Sequence, residues 1–177
     1  MRKITYYVAA SLDGFISGKN GDISQFVPGG NGVEQYLSDL SAFDTALMGK
    51  ATYEFGYRFG LKPGRSPYPN MINYVFSTTL SFDEQDESLK VIPLSADFIR
   101  ELKEQEGGPI YLCGGGKLAG WMLDHELIDI LKLKLNPFVA GHGTRIFGAS
   151  KKGCQASLSS TTQYEHGLQI MEFELSY

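Results

Sequence analysis

The sequence predicts an α/β domain with a central, mostly parallel sheet, flanking helices and an antiparallel hairpin at the C-terminal edge. Three observations carry this expectation. From Ile4 to His125, short β-branched and aromatic runs alternate with segments of helical period. Past Leu127 that alternation stops, and strand-like runs follow one another directly. The last two, "ASLSSTTQYEH" and "LQIMEFELSY", face each other across Gly167 as the arms of a hairpin do. Strands joined through helices pair parallel, whereas hairpin arms pair antiparallel.

The elements follow in order. "ITYYVAAS" (residues 4–11) reads as a buried strand, and Asp13-Gly14 turns it into a short return, "FIS". Residues 18–32 are rich in Gly, Asn and Pro and read as a loop. "VEQYLSDLSAF" begins a helix with Val33, Tyr36, Leu37, Leu40 and Phe43 on one face. "TALMG" (45–49) is a short buried strand, and "KATYEFGYRF" after it is helical. Residues 60–70, with prolines and glycines throughout, form a long loop. "INYVFS" (72–77) and "KVIPL" (90–94) are strands, and Ser95 caps a helix running to Glu106 before Gly107 and Gly108. "PIYLC" is a strand, and a helix follows its glycines to about His125. "LIDILKLKLNPFV" is a long strand and "RIFG" a short one. No repeat or linker interrupts the chain, so residues 1–177 are expected to be one domain.

With 42% hydrophobic and 20% charged residues, the composition is that of an ordinary globular protein. A net charge of −4 makes no electrostatic case for nucleic acid or an anionic membrane, so the expected partner is a small molecule. Any anion must be held by local basic groups and backbone N–H groups. The first residues enter a strand without a signal-peptide pattern, no apolar run reaches bilayer length, and Cys113 and Cys154 lack metal-ligand spacing. The expectation is a cytoplasmic protein without a metal.

"IYLCGGGKLAGWML" (110–123) is the most informative stretch. It is not a P-loop, because Leu118 follows Lys117 where that motif needs a hydroxyl. Gly114, Gly116 and Ala119 fit G-x-G-x-x-A, but the strand that follows ends in "LNPF" without the acidic residue of a dinucleotide fingerprint. The glycines still end a strand and open a helix, where free N–H groups favour an anion; a tight turn without a ligand is the alternative. Two further strand ends match this chemistry: "LMGKATYE", with Gly49, Lys50, Ala51 and Thr52, and "YVFSTT", with Ser77 and Thr78. In open α/β sheets, ligands gather at such carboxyl ends.

In this order, "VAASLDGFIS", "LMGKATYE", "YVFSTT", "IYLCGGGKL" and "LNPFVAGHGTRIF" resemble the dihydrofolate reductase-like superfamily over essentially the whole chain. The branch most resembled is the C-terminal reductase domain of bacterial riboflavin biosynthesis enzymes. The resemblance implies the three-layer dihydrofolate reductase-like fold and an NADPH-dependent reductase acting on a small heterocyclic or ribityl-type substrate. Such an enzyme would resemble 5-amino-6-(5-phosphoribosylamino)uracil reductase or dihydrofolate reductase. The backbone of Ala9 would hold the nicotinamide carboxamide, and Ile16 would line its pocket. Gly49-Lys50-Ala51-Thr52 would meet the pyrophosphate and 2′-phosphate, Ser77 and Thr78 the adenosine phosphates, and Lys117 the adenosine side. Gly114–Gly115 would form a cis peptide where the cofactor passes too close for a side chain, with Gly116 opening the helix. Lys50 stands where the family most often has arginine, and lysine lacks that planar fork; a solvated surface lysine is the alternative.

On the substrate side two carboxylates are candidates for catalysis. Glu34 occupies the first helical turn, where folate reductases place an acid, but it equally suits the helix dipole. Asp13, characteristic of the riboflavin-type branch, is a candidate beside the cleft or a turn residue bonding its own backbone. His142 is expected in a solvent-facing loop, and Trp121 in the core. The riboflavin enzymes usually carry a fused deaminase with zinc-ligand His and Cys residues. No such segment occurs here, so a stand-alone domain is the expectation. By analogy it should form a homodimer through "LNPFVAG" and "RIF". A nucleotide-binding module or sensor without turnover is the competing reading.

Overall fold

The computed structural model describes residues 1–177. Strands β1 (Ile4–Ser11) and β2 (Phe15–Ser17) lead into α1 (Asn31–Asp39), then β3 (Thr45–Gly49) and α2 (Lys50–Phe55). Next come β4 (Ile72–Phe76), β5 (Leu89–Ile92), α3 (Ala96–Glu104), β6 (Ile110–Gly114) and α4 (Gly116–Asp124). The chain closes with β7 (Ile130–Asn136), β8 (Thr144–Arg145), β9 (Gln155–Gln163) and β10 (Gln169–Ser176). No helix is long and apolar enough to cross a membrane.

The main sheet has the order β5-β4-β3-β6-β1-β7-β10-β9. From β5 to β7 every pairing is parallel, while β10 runs antiparallel to both β7 and β9. The expected mostly parallel sheet with its C-terminal hairpin is therefore the observed one.

Side-chain alternation divides the core into two layers. Ile4, Tyr6, Leu47, Leu112 and Leu131 pack with Ile99 and Leu102 of α3 and with Ala119 and Met122 of α4. On the other face Tyr7, Ala46, Met48 and Tyr111 pack with Tyr53 of α2 and Tyr36 of α1. Helices thus cover both faces, and three layers result.

Most local signals act as the sequence predicts. The Ser95 hydroxyl accepts from the Phe98 N–H at 3.3 Å and caps α3. Gly167, with φ +73, closes the hairpin between β9 and β10. Helix α3 stops at Glu104, two residues short of the expectation. At Gly107 (φ +148) a Cβ would stand 2.8 Å from the Asp44 carboxylate.

Five expectations need correction. "FIS" does not return along β1; it pairs with β8, and Ile146 N–H bonds to the Gly14 carbonyl at 3.0 Å. "RIFG" contributes only Arg145 to a strand, because the chain turns at once through Gly148 (φ +54). The long strand starts at Ile130 and ends at Asn136, before Pro137. Helix α1 ends at Asp39 and tightens into a 3-10 turn over Leu40–Ala42, so Leu37 is left 59% exposed while Leu40 is buried. Its inward face is Val33, Tyr36 and Leu40. The next predicted helix also divides, into α2 and a 3-10 turn over Gly56–Phe59 that Gly60 (φ +88) ends.

Candidate active site at the carboxyl ends of the strands

A cleft of about 830 Å³ opens where β1, β3, β4 and β6 end. Cofactor and small-molecule sites span about 300–1,000 Å³, so the size suits a nucleotide. Its walls include Ala9, Ile16, Gly49, Lys50, Ala51, Thr52, Ser77, Thr78, Gly115, Gly116 and Lys117. Tertiary structure therefore brings together all the residues expected to bind cofactor except Gly114. The geometry follows from the parallel order: β3, β6 and β1 are neighbours, so their carboxyl ends form one rim.

The glycine run has three separate reasons. Gly114 has φ +117, which an L side chain rarely adopts, and it lies behind the cleft wall against Tyr6. The Gly114–Gly115 peptide is cis. Gly115 faces the cleft, where a Cβ would lie 3.2 Å from the Thr52 hydroxyl and 3.8 Å from Ile16. At Gly116 a Cβ would overlap the carbonyl oxygen of Arg145. The expectation that a cofactor alone excludes side chains here is thus corrected: at Gly116 the chain's own backbone does so. That contact seats α4 against the β8 turn, and its first N–H groups, which lack helical partners, face the rim.

The polar groups around the rim are only partly engaged. Lys50 Nζ donates to the Thr79 hydroxyl at 3.1 Å and lies 3.8 Å from Glu54 in a half-exposed pair. The Ser77 hydroxyl accepts the N–H groups of Thr79 (3.1 Å) and Leu80 (3.0 Å), which shapes the β4 turn, and it lies 3.5 Å from the Thr79 hydroxyl. No carboxylate contacts Lys117 within 4.0 Å. The rim is therefore rich in donors, with two lysines and two helix starts.

Neither candidate catalytic carboxylate lines the cleft. Asp13 is a clasp: its carboxylate accepts from the Ser11 hydroxyl at 2.6 Å, Ala140 N–H at 2.9 Å and Gly141 N–H at 2.7 Å. The Ser11 hydroxyl first, then the two backbone N–H groups, hold its pKa down at about 2. It ties the turn after β1 to the loop after β7. Glu34 is exposed in the first turn of α1, and its carboxylate makes no hydrogen bond or ion pair within the chain.

Several site residues carry no sequence motif. Trp121, expected in the core, does pack against it but also lines the cleft, with its ring centre 4.0 Å from that of His125. Cys113 also reaches the cleft, and burial pushes its thiol pKa up. Beside it Tyr68 Oη lies 3.2 Å from Cys113 Sγ, and Tyr36 Oη lies 2.8 Å from Tyr111 Oη. The only signal for these was the alternation of "PIYLC", which places Tyr111 and Cys113 on one face. His142 is exposed in its loop.

Comparison with known proteins agrees with this geometry. The chain is 29% identical over 173 residues to the uncharacterized protein YwjB of Bacillus subtilis, covering 96% of each. A Shewanella sp. PV-4 structure described as a riboflavin biosynthesis protein superposes with a TM-score of 0.81 at 21% identity, over 100% of both chains. Dihydrofolate reductase from Enterococcus faecalis, solved with NADP(H) and RAB-propyl, superposes with a TM-score of 0.69 at 15% identity. That match covers 99% of this chain and 97% of the reductase. The fold is thus dihydrofolate reductase-like. The family model of the RibD C-terminal domain matches residues 2–170, and the chain belongs to that reductase family.

Proposed function

We propose that the protein is an NADPH-dependent reductase of a small heterocyclic or ribityl-type substrate. The observation that carries this reading is the donor-rich rim: Gly49-Lys50, Ser77-Thr78 and Gly115-Gly116-Lys117 converge on one cleft. The start of α4 and the hydroxyls of Thr52 and Thr78 suit a pyrophosphate. Lys50 and Lys117 supply positive charge for a further phosphate.

When bound, NADPH supplies hydride. The chain's residues do the rest by position. Ala9 and Ile16 form an apolar end of the cleft, and the Ala9 backbone orients the carboxamide. Gly115 keeps the floor open, and Trp121 and Leu94 wall off water along the cleft. With Asp13 committed to its clasp, we assign it to holding the loop after β7 and give proton delivery to other groups.

Titrating NADPH and NADH by fluorescence at one ionic strength tests the cofactor. NADPH should bind more tightly; equal affinities would refute the 2′-phosphate assignment. A nucleotide-binding module without turnover is the second reading, favoured by the absence of either carboxylate from the cleft. It predicts tight NADPH binding with no consumption across a panel of carbonyl and imine substrates. The free thiols of Cys113 and Cys154 suit a cytoplasmic setting.

We also propose a homodimer, and assign the self-association to strand β9 instead of the "LNPFVAG" and "RIF" segments. All nine of its residues are exposed, and they lie at an open sheet edge with no Lys, Asp, Glu or Pro to block pairing. Light scattering should then give about twice the 19.5 kDa chain mass.

A further inference from the structure

Two lysines on β7, Lys132 and Lys134, share one face of the sheet but meet opposite surroundings. Lys132 lies 2.9 Å from Asp39 and 3.5 Å from Glu172, and stands over the Tyr7 ring at 4.9 Å. Lys134 has no carboxylate within 4.0 Å and no protein acceptor for its N–H groups. It stands 4.4 Å from the centre of the Tyr36 ring, a contact that replaces only part of the lost hydration. Burial lowers its pKa. Every fully buried side-chain nitrogen or oxygen in the molecule has a partner, so this partnerless ammonium must keep an opening to solvent.

Lys134 is not itself among the residues lining the cleft, but it adjoins that wall through β1. Lys134 is the register partner of Ala9, a lining residue on β1. Adjacent strands are about 4.8 Å apart, and register partners project to the same face. The same face carries the Tyr36–Tyr111 and Tyr68–Cys113 contacts, and Cys113 also lines the cleft. Unpaired groups here are donors. The nearby carboxylate of Asp39 is held by Lys132, Tyr7 and Gln35, and Glu34 is exposed to solvent.

We infer that Lys134, seated on Tyr36, is the substrate-binding cation of this site and receives a carbonyl or carboxylate oxygen of the molecule to be reduced. This rests on the reductase reading above. An unpaired ammonium in a half-buried position is costly unless an acceptor completes it, and a substrate oxygen beside Ala9 does so. For a carbonyl conjugated to the reduced carbon, a C–H bond forms with hydride from NADPH, and the π pair moves to oxygen. The ammonium donates a proton to that oxygen, NADP⁺ is left, and the lysine regains its proton from solvent. A ring amidine needs a free carboxylate instead and finds none facing it.

Two fluorescent pteridines of the same size test this: lumazine, a dione, and 2,4-diaminopteridine, which carries the amidine. Both are titrated into protein saturated with NADP⁺. Wild type should bind lumazine more tightly than the diamine. Lys134→Met, which keeps the packing of the methylenes, should weaken lumazine at least tenfold, leave the diamine unweakened and keep NADP⁺ affinity within twofold. Tyr36→Phe, which retains the ring under the ammonium, should lose only a fewfold, whereas Tyr36→Leu, which removes that seat, should weaken lumazine clearly and serves if the Met variant does not fold. A wild type that prefers the diamine or binds no lumazine overturns the inference. So does a folded Lys134→Met, or if it fails a Tyr36→Leu, that binds lumazine like wild type. A wild type that binds no NADP⁺ overturns the reductase reading itself, and the assignment of Lys134 falls with it.

Discussion

The two ends of the parallel sheet are built from the same residue types and do opposite things. At the amino ends, buried cations are paired with carboxylates. Arg2, 8% exposed, bonds the Asp44 carboxylate, the Gly108 carbonyl (2.7 Å) and the Thr45 hydroxyl (2.8 Å). Lys103 meets Asp129 at 2.8 Å, and Asp129 also takes the Ile4 N–H at 2.7 Å. At the carboxyl ends Lys117 and Lys134 lack acid partners, and Lys50 has only a half-exposed one. A buried charge that is fully partnered stabilises an arrangement of strands, whereas an unpartnered one is open to a ligand. Paired charges and unpaired donors are thus segregated to opposite edges of one sheet.

Gly116 is the position where stability and binding should meet, and it carries the largest expected effect. It lines the cleft, yet a Cβ there would overlap backbone, so Gly116→Ala should cost about 3 kcal/mol in urea unfolding and abolish NADPH binding. Gly115→Ala, whose new Cβ meets only the Thr52 hydroxyl and Ile16, should fold and lose cofactor affinity. If both variants unfold alike, the division of roles within the glycine run is wrong.

Asp44→Ala sharpens the contrast at the other end. It leaves the Arg2 guanidinium short of its carboxylate, and since Asp44 is half-exposed the loss should be about 2 kcal/mol. NADPH affinity, measured under folding conditions, should stay unchanged. A shift in affinity as large as the shift in stability would erase the distinction between the edges.

The converse variant is Lys50→Ala. Its ion pair with Glu54 is half-exposed, so unfolding should move by less than about 0.5 kcal/mol. NADPH affinity should drop about tenfold, or about 1.4 kcal/mol, with NADH much less affected.

The smallest effects separate the two carboxylates. Asp13 has its pKa lowered in the folded state, so its clasp contributes fully above the unfolded value near 3.8 and is lost as pH falls through about 2. Melting temperature followed from pH 5 to pH 2 should fall less steeply in Asp13→Asn, which starts lower. Turnover of that variant should fall only as far as the loop after β7 loosens. Glu34→Gln, on an exposed helix turn, should change neither stability nor NADPH affinity measurably.

By itself the sequence determined whatever depends on neighbours along the chain. The β-branched run at Ile4–Ser11, the Ser95 cap and the Gly167 hairpin are set by local sterics and hydrogen bonding. The convergence of these motifs on one cleft was legible too, because parallel strands deliver their carboxyl ends to one rim and the motifs sit at those ends. Tertiary structure alone decided what depends on register between distant segments. Gly116 is constrained by Arg145, Asp13 is claimed by Ala140 and Gly141, and Trp121 is shared between the core and the cleft wall. The alternation of "LKLKL" put Lys132 and Lys134 on one face but could not tell them apart. Only the placement of α1 and β10 gave one lysine two carboxylates and the other a tyrosine ring and an open side. A charge's role is set by what is packed against it, and that packing comes from segments far away in the chain.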